Sequence, residues 1–122
     1  MRFMMPLRTD ENAMPADGPG AELMERMGAL LDEMTAAGVL LDTAGLATSA
    51  QGTRLQLSGG RITMADGPFH EAGAAIGGYV LIRAGSQQEA AGWAERFLGV
   101  RGDAWTLTAE IRRVDEPAGA GV

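Results

Sequence analysis

The chain has 122 residues, 46% of them hydrophobic and 21% charged, and a net charge of −6. That size suits one domain able to bury roughly two thirds of its unfolded surface, enough for a single core. A negative balance repels phosphate backbones and anionic headgroups, so neither nucleic acid nor a membrane is expected as a partner. With no cysteine, disulfides, thiolate metal sites and cysteine nucleophiles are excluded, which fits a cytoplasmic location. The longest uncharged run, Ala72 to Ile82, is too short to span a bilayer, and the apolar start around Phe3 is interrupted too soon for a signal peptide. A soluble chain is expected.

Arg2 to Arg8 reads as a first strand, with Phe3, Met5 and Leu7 on one face and Arg2, Met4, Pro6 and Arg8 on the other. Pro6 places it near an edge or a bulge, because proline cannot donate to a ladder. After a polar loop, Gly18-Pro19 opens a helix expected over Pro19 to Ala37. Leu23, Met27, Leu30, Met34 and Ala37 form its apolar stripe, and Gly38 stops it. Its methionines read as adaptable core packing.

Val39-Leu40-Leu41 begins a second strand that fades through Gly45. Thr53–Ser58 and Arg61–Ala65 alternate apolar with polar residues around Gly59-Gly60, the pattern of a hairpin. Gly78 to Arg83 is apolar on both faces, Tyr79 and Leu81 on one and Val80 and Ile82 on the other, as in a central covered strand. Ser86 with Glu89 forms a capping box for a second helix, whose inward stripe is Ala90, Trp93, Ala94 and Phe97. A last strand is expected from Trp105 to Arg112, with Trp93 and Trp105 in the core and a loose tail over 115–122.

The order strand, helix, strand, hairpin, strand, helix, strand gives an α+β, ferredoxin-like split βαβ fold with an inserted hairpin, over residues 1–114. Both helices fall on one sheet face. The other face is left with an apolar row, and a second copy packed sheet against sheet is the expected cover.

Between the hairpin and the central strand stand Asp66-Gly67-Pro68-Phe69-His70-Glu71 and Ile76-Gly77-Gly78-Tyr79. An Asp in a turn often bonds the amide two residues on, but Pro68 has none. Asp66 must reach the Phe69 or His70 amide or leave its carboxylate free. These residues, with Ala37-Gly38-Val39-Leu40-Leu41, Ser58-Gly59-Gly60 and Trp93-Ala94 at matching spacing, resemble the YCII-related family. The DGPF branch of that family carries the 66–69 tetrapeptide. The resemblance implies a dimeric α+β barrel of mostly unassigned function, and genes of that branch often neighbour those of alternative sigma factors. Some relatives outside the branch are small-molecule enzymes that use a histidine on the first helix with a nearby aspartate, and Met27 takes that histidine's place here. Gly73-Ala74 stands where the family usually has Lys-Glu, and Leu30 near a common tyrosine, which implies a more apolar cleft.

Three functions stay open: a regulatory, small-molecule-binding homodimer; a cofactorless isomerase, lyase or hydrolase; and an interaction module for a sigma factor. The enzyme reading takes Asp66 and His70 as acid and base, His70 being the one group that titrates near neutrality without perturbation. It expects Asp66 to face a cavity. Against it stands a loop-cap Asp66 and a solvated His70. Arg8 and Arg54 are candidate anion ligands, and Phe69, Glu71 and Tyr79 candidate cleft contacts. No cofactor is implied, and one histidine without cysteine speaks against a metal site.

Overall fold

The computed structural model describes residues 1–15, 17–71 and 75–116. In chain order the elements are β1 (Arg2–Thr9), α1 (Ala21–Ala36), β2 (Leu40–Gly45), β3 (Thr53–Ser58), β4 (Arg61–Asp66), β5 (Ala75–Arg83), α2 (Gln87–Arg101), β6 (Leu107–Ala109) and β7 (Arg112–Arg113). The alternation read in β1 is the alternation that is buried: Phe3, Met5 and Leu7 are inside, while Arg2, Met4 and Pro6 are half-buried. Strand order is β2-β5-β1-β6, with β7 also on β1 and every pairing antiparallel. This is the ferredoxin-like α+β arrangement, with β3 and β4 forming a separate two-stranded sheet.

Helix α1 starts two residues later than expected, after Gly20, and ends as its sequence says. Gly38, at φ 73°, lets the Val39 N–H reach the Met34 carbonyl at 2.9 Å, and its own N–H bonds the Thr35 carbonyl. The two bonds form a Schellman close. Leu30 and Met34 go into the core, each adding about 1.5–3 kcal/mol of burial. They pack with Phe3, Met5, Leu7, Val80 and Ile82 of the sheet and with Ala90, Ala94 and Phe97 of α2. Ser86 caps α2 by accepting the Glu89 N–H at 3.1 Å, whereas the Glu89 carboxylate takes the Gly85 amide, one residue outside the usual box. Arg96 and Glu33 join the two helices on the solvent side.

Three expectations need correction. Pro6 is not at an edge, because β1 pairs on both sides. Its carbonyl accepts from Glu110 at 3.4 Å, so its missing N–H faces the last strand and leaves the β5 ladder intact. Opposite Pro6 that last strand breaks into β6 and β7 instead of running unbroken from Trp105. A bulge between Leu7 and Arg8 on the β5 side does follow Pro6. Trp105 is half-buried at a cleft and lies outside the core cluster, while Trp93 packs against that cluster from its rim.

The second face of the sheet carries Met4, Pro6, Tyr79 and Leu81, all half-buried, with Ile76 exposed. Register in the hairpin sets Leu55 opposite Met64 and Leu57 opposite Ile62, with the Gly59-Gly60 turn at positive φ in both residues. All four side chains share one face and are 59–72% exposed. At the other terminus Glu116 pairs with Arg2, and the rest of the expected tail lies outside the described residues. Among the described residues no helix is long and apolar enough to cross a membrane.

Candidate functional site

The loop after β4 is anchored by a residue far away in sequence. Ser49, in a single 3-10 turn, is buried, and its Oγ accepts the Phe69 N–H at 2.9 Å. The same hydroxyl donates to Glu11 Oε1, and the Ser49 N–H donates to Glu11 Oε2 at 2.7 Å. Glu11 is thus committed through both oxygens. Gly67 donates to the Gly52 carbonyl at 2.9 Å and lies against Ser49, where a Cβ would stand 1.7 Å from the carbonyl oxygen. The Gly67–Pro68 bond is cis.

The Phe69 amide therefore goes to Ser49 and not to Asp66. Asp66 is exposed at the end of β4, and its Oδ1 accepts from the Thr53 hydroxyl at 3.1 Å. Among the described residues it neither takes the Phe69 amide nor lines the clefts beside Phe69 and Arg101, so its carboxylate is left at the surface with the Thr53 contact. Asp66→Ala is expected to change stability by no more than about 0.5 kcal/mol, as is usual for an exposed position. Thermal denaturation checks this, and a fall of several degrees would return the residue to a capping role. His70 is exposed beside it.

Arg54, Phe69 and Glu71 do converge. The Arg54 guanidinium sits 4.1 Å from the Phe69 ring centre and 3.3 Å from Glu71 Oε1. Glu71 is held below the usual carboxylate range, first by its own backbone N–H and then by Arg54. Phe69 also walls a shallow cleft of about 270 Å³ with Leu46, Ala47 and Ile76. Tyr79 and Arg8 belong elsewhere, on the second sheet face. Tyr79 donates to Asp42 at 2.8 Å, a bond that raises its pKa, and Arg8 Nε lies 3.5 Å from Glu110. Among the described residues no three acidic or histidine groups are placed to hold a metal.

Sequence reasoning missed the best-formed recess. Two clefts of about 260 and 310 Å³ lie side by side at the end of the sheet, sharing Leu7, Gly45, Gly77 and Arg101 as walls. The first is completed by Glu11, Met14, Trp105 and Leu107, and the second by Met24, Met27, Leu31 and Phe97. Arg101 ends α2 with its guanidinium 5.7 Å from the Phe97 ring and 5.2 Å from the Trp105 ring. Its Nε is buried and has no hydrogen-bond partner among the described residues. Burial pushes its pKa down from the ordinary value, though a guanidinium stays charged at any working pH. One signal was available in the sequence: the inward stripe Ala90, Ala94, Phe97 lands on Arg101 one turn later, setting a cation on the buried side.

A family model, the YCII-related domain, matches residues 1–106, most of the chain. No curated protein matches it.

Proposed function

Because the chain belongs to the YCII-related domain family, we propose that it is a small-molecule-binding, regulatory protein that works as a homodimer. Within that family the tetrapeptide Asp66-Gly67-Pro68-Phe69 assigns it to the DGPF branch. One observation carries the binding reading: the adjoining clefts beneath α1, walled by Leu7, Met27, Leu31 and Phe97. Their sizes approach the lower end for small-molecule sites, about 300 Å³, and their walls are apolar with few polar groups, as such sites are built. Among the described residues the only carboxylate lining them, Glu11, is committed to Ser49, which favours holding a ligand over transforming it. The test is a fragment screen read by amide NMR. Hits are expected to move the signals of Gly45, Gly77 and Trp105, and hits that map to the 66–71 loop instead would refute the site.

The dimer is supported by the hairpin. An isolated two-stranded hairpin is marginal in water, and this one exposes Leu55, Leu57, Ile62 and Met64 on a single face. The row Met4, Pro6, Tyr79 and Leu81 adds apolar surface on the sheet. A twofold axis would bring such self-complementary patches together. Sedimentation equilibrium is expected to find a dimer at micromolar concentration. Leu57→Lys with Met64→Lys is expected to weaken association by about a hundredfold or more, since each buried unpaired charge costs several kcal/mol. A wild-type chain that is monomeric at high micromolar concentration would end this reading.

A further inference from the structure

We propose that the junction of the two clefts binds a small monocarboxylic acid, its carboxylate on Arg101 and its apolar part along Leu7, Met27 and Leu31. This rests on the binding reading above and adds the chemical class of the ligand. The first support is the Arg101 Nε–H, buried and without a hydrogen-bond partner among the described residues, on a side chain that walls both clefts. Buried donors in folded proteins are nearly always paired, so an orphaned one marks a place where a partner belongs.

The aromatic neighbours do not supply that partner. Phe97 and Trp105 face the cation through their π-systems, which attract its charge. The Nε–H bond lies in the guanidinium plane and still needs an acceptor there. A carboxylate meets that need with two parallel charge-assisted bonds.

Two further features narrow the class. Among the described residues the cleft walls hold one cation, Arg101, and one carboxylate, Glu11, so a monoanion is neutralised by Arg101, whereas a dianion such as phosphate keeps a second negative charge unmatched near Glu11. A single negative charge held on the Arg101 side is the better match. Beyond Arg101 the second cleft is walled by Met24, Met27, Leu31 and Phe97 without another charge. Methionines there adjust to chains of different shape. An acid with an apolar body fits both ends.

The probe is octanoate, with 1-octanol and inorganic phosphate as comparators, titrated against the intact protein and followed at the Trp105 indole N–H and the Gly77 amide. Octanoate is expected to bind about tenfold or more tightly than octanol, the ratio one charge-assisted pair supplies. Phosphate is expected not to displace it. Arg101→Gln should bring the octanoate-to-octanol affinity ratio down to about one, and Arg101→Lys should restore part of the difference. If octanol moves the cleft signals and octanoate binds no better, or if R101Q keeps the preference, the carboxylate proposal fails and the binding reading survives. Should neither probe move those signals, both fail. The comparison of octanoate with octanol on the unaltered chain stands even if R101Q does not fold.

Discussion

Gly67→Ala is expected to lower the melting temperature by roughly 10 °C or more, the largest effect of a methyl added at any of the described glycines. The new Cβ would stand 1.7 Å from the Ser49 carbonyl oxygen and 2.7 Å from its carbon. Both are backbone atoms, so no side chain can swing away, and the loop must separate from the 49–52 turn. Separation sacrifices the Gly67–Gly52 bond and the Phe69–Ser49 bond together. Overpacking alone costs about 1–3 kcal/mol, and the two lost bonds raise the total above that. Gly92→Ala is the control: it is exposed within α2, has nothing within 4 Å of the added carbon, and should stabilise by about 0.5–1 kcal/mol. Differential scanning calorimetry of the pair measures the contrast. A Gly67→Ala protein that melts within about 2 °C of the parent would mean that the loop does not press on Ser49.

Ser49→Ala should cost about 3 kcal/mol. The hydroxyl is used twice, donating to a carboxylate and accepting the Phe69 amide, and the residue is 8% exposed. Removing it leaves the half-buried Phe69 N–H unpaired and takes a charge-assisted bond from Glu11, while the Ser49 amide keeps its own bond to Glu11 Oε2. Ser49→Thr keeps the hydroxyl and should lose much less. Hydrogen exchange at the Phe69 amide gives a local reading: it should quicken in Ser49→Ala and stay slow in Ser49→Thr. Unchanged protection in both would place the anchor of the loop elsewhere.

These two variants concern the tetrapeptide that stands out most in the sequence, and they test an architectural role for it. Asp66 and His70, the acid and base of the enzyme reading, lie at the surface. Gly67 and Phe69 hold the loop to the 49–52 turn, and Phe69 carries Arg54 on its face. The loop thereby fixes how the hairpin leaves the body of the protein, and with it the direction in which Leu55, Leu57, Ile62 and Met64 are presented.

Local pattern was enough for the elements themselves. The period-two alternation in Arg2–Thr9, the helical stripe ending at Gly38, the Gly59-Gly60 turn and the Ser86 cap each depend on neighbours within a few residues, so each was legible in the sequence. Their order then constrained the sheet, because short connections and right-handed crossovers leave few ways to assemble them.

Tertiary structure alone decided what each exception was for. Pro6 pointed to an edge or a bulge; the bulge follows it at Leu7–Arg8, and the break between β6 and β7 gives its missing N–H a place in the interior of the sheet. Ser49 draws its partners from 38 residues before it and 20 residues after it. Arg101, on the last turn of α2, shares a cleft with Leu7 of β1 only once the helix is packed on the sheet. Sequence periodicity reports which way a side chain faces within its own element; which group waits on the other side is set by chain closure over long distances, and that is the information a cleft consists of.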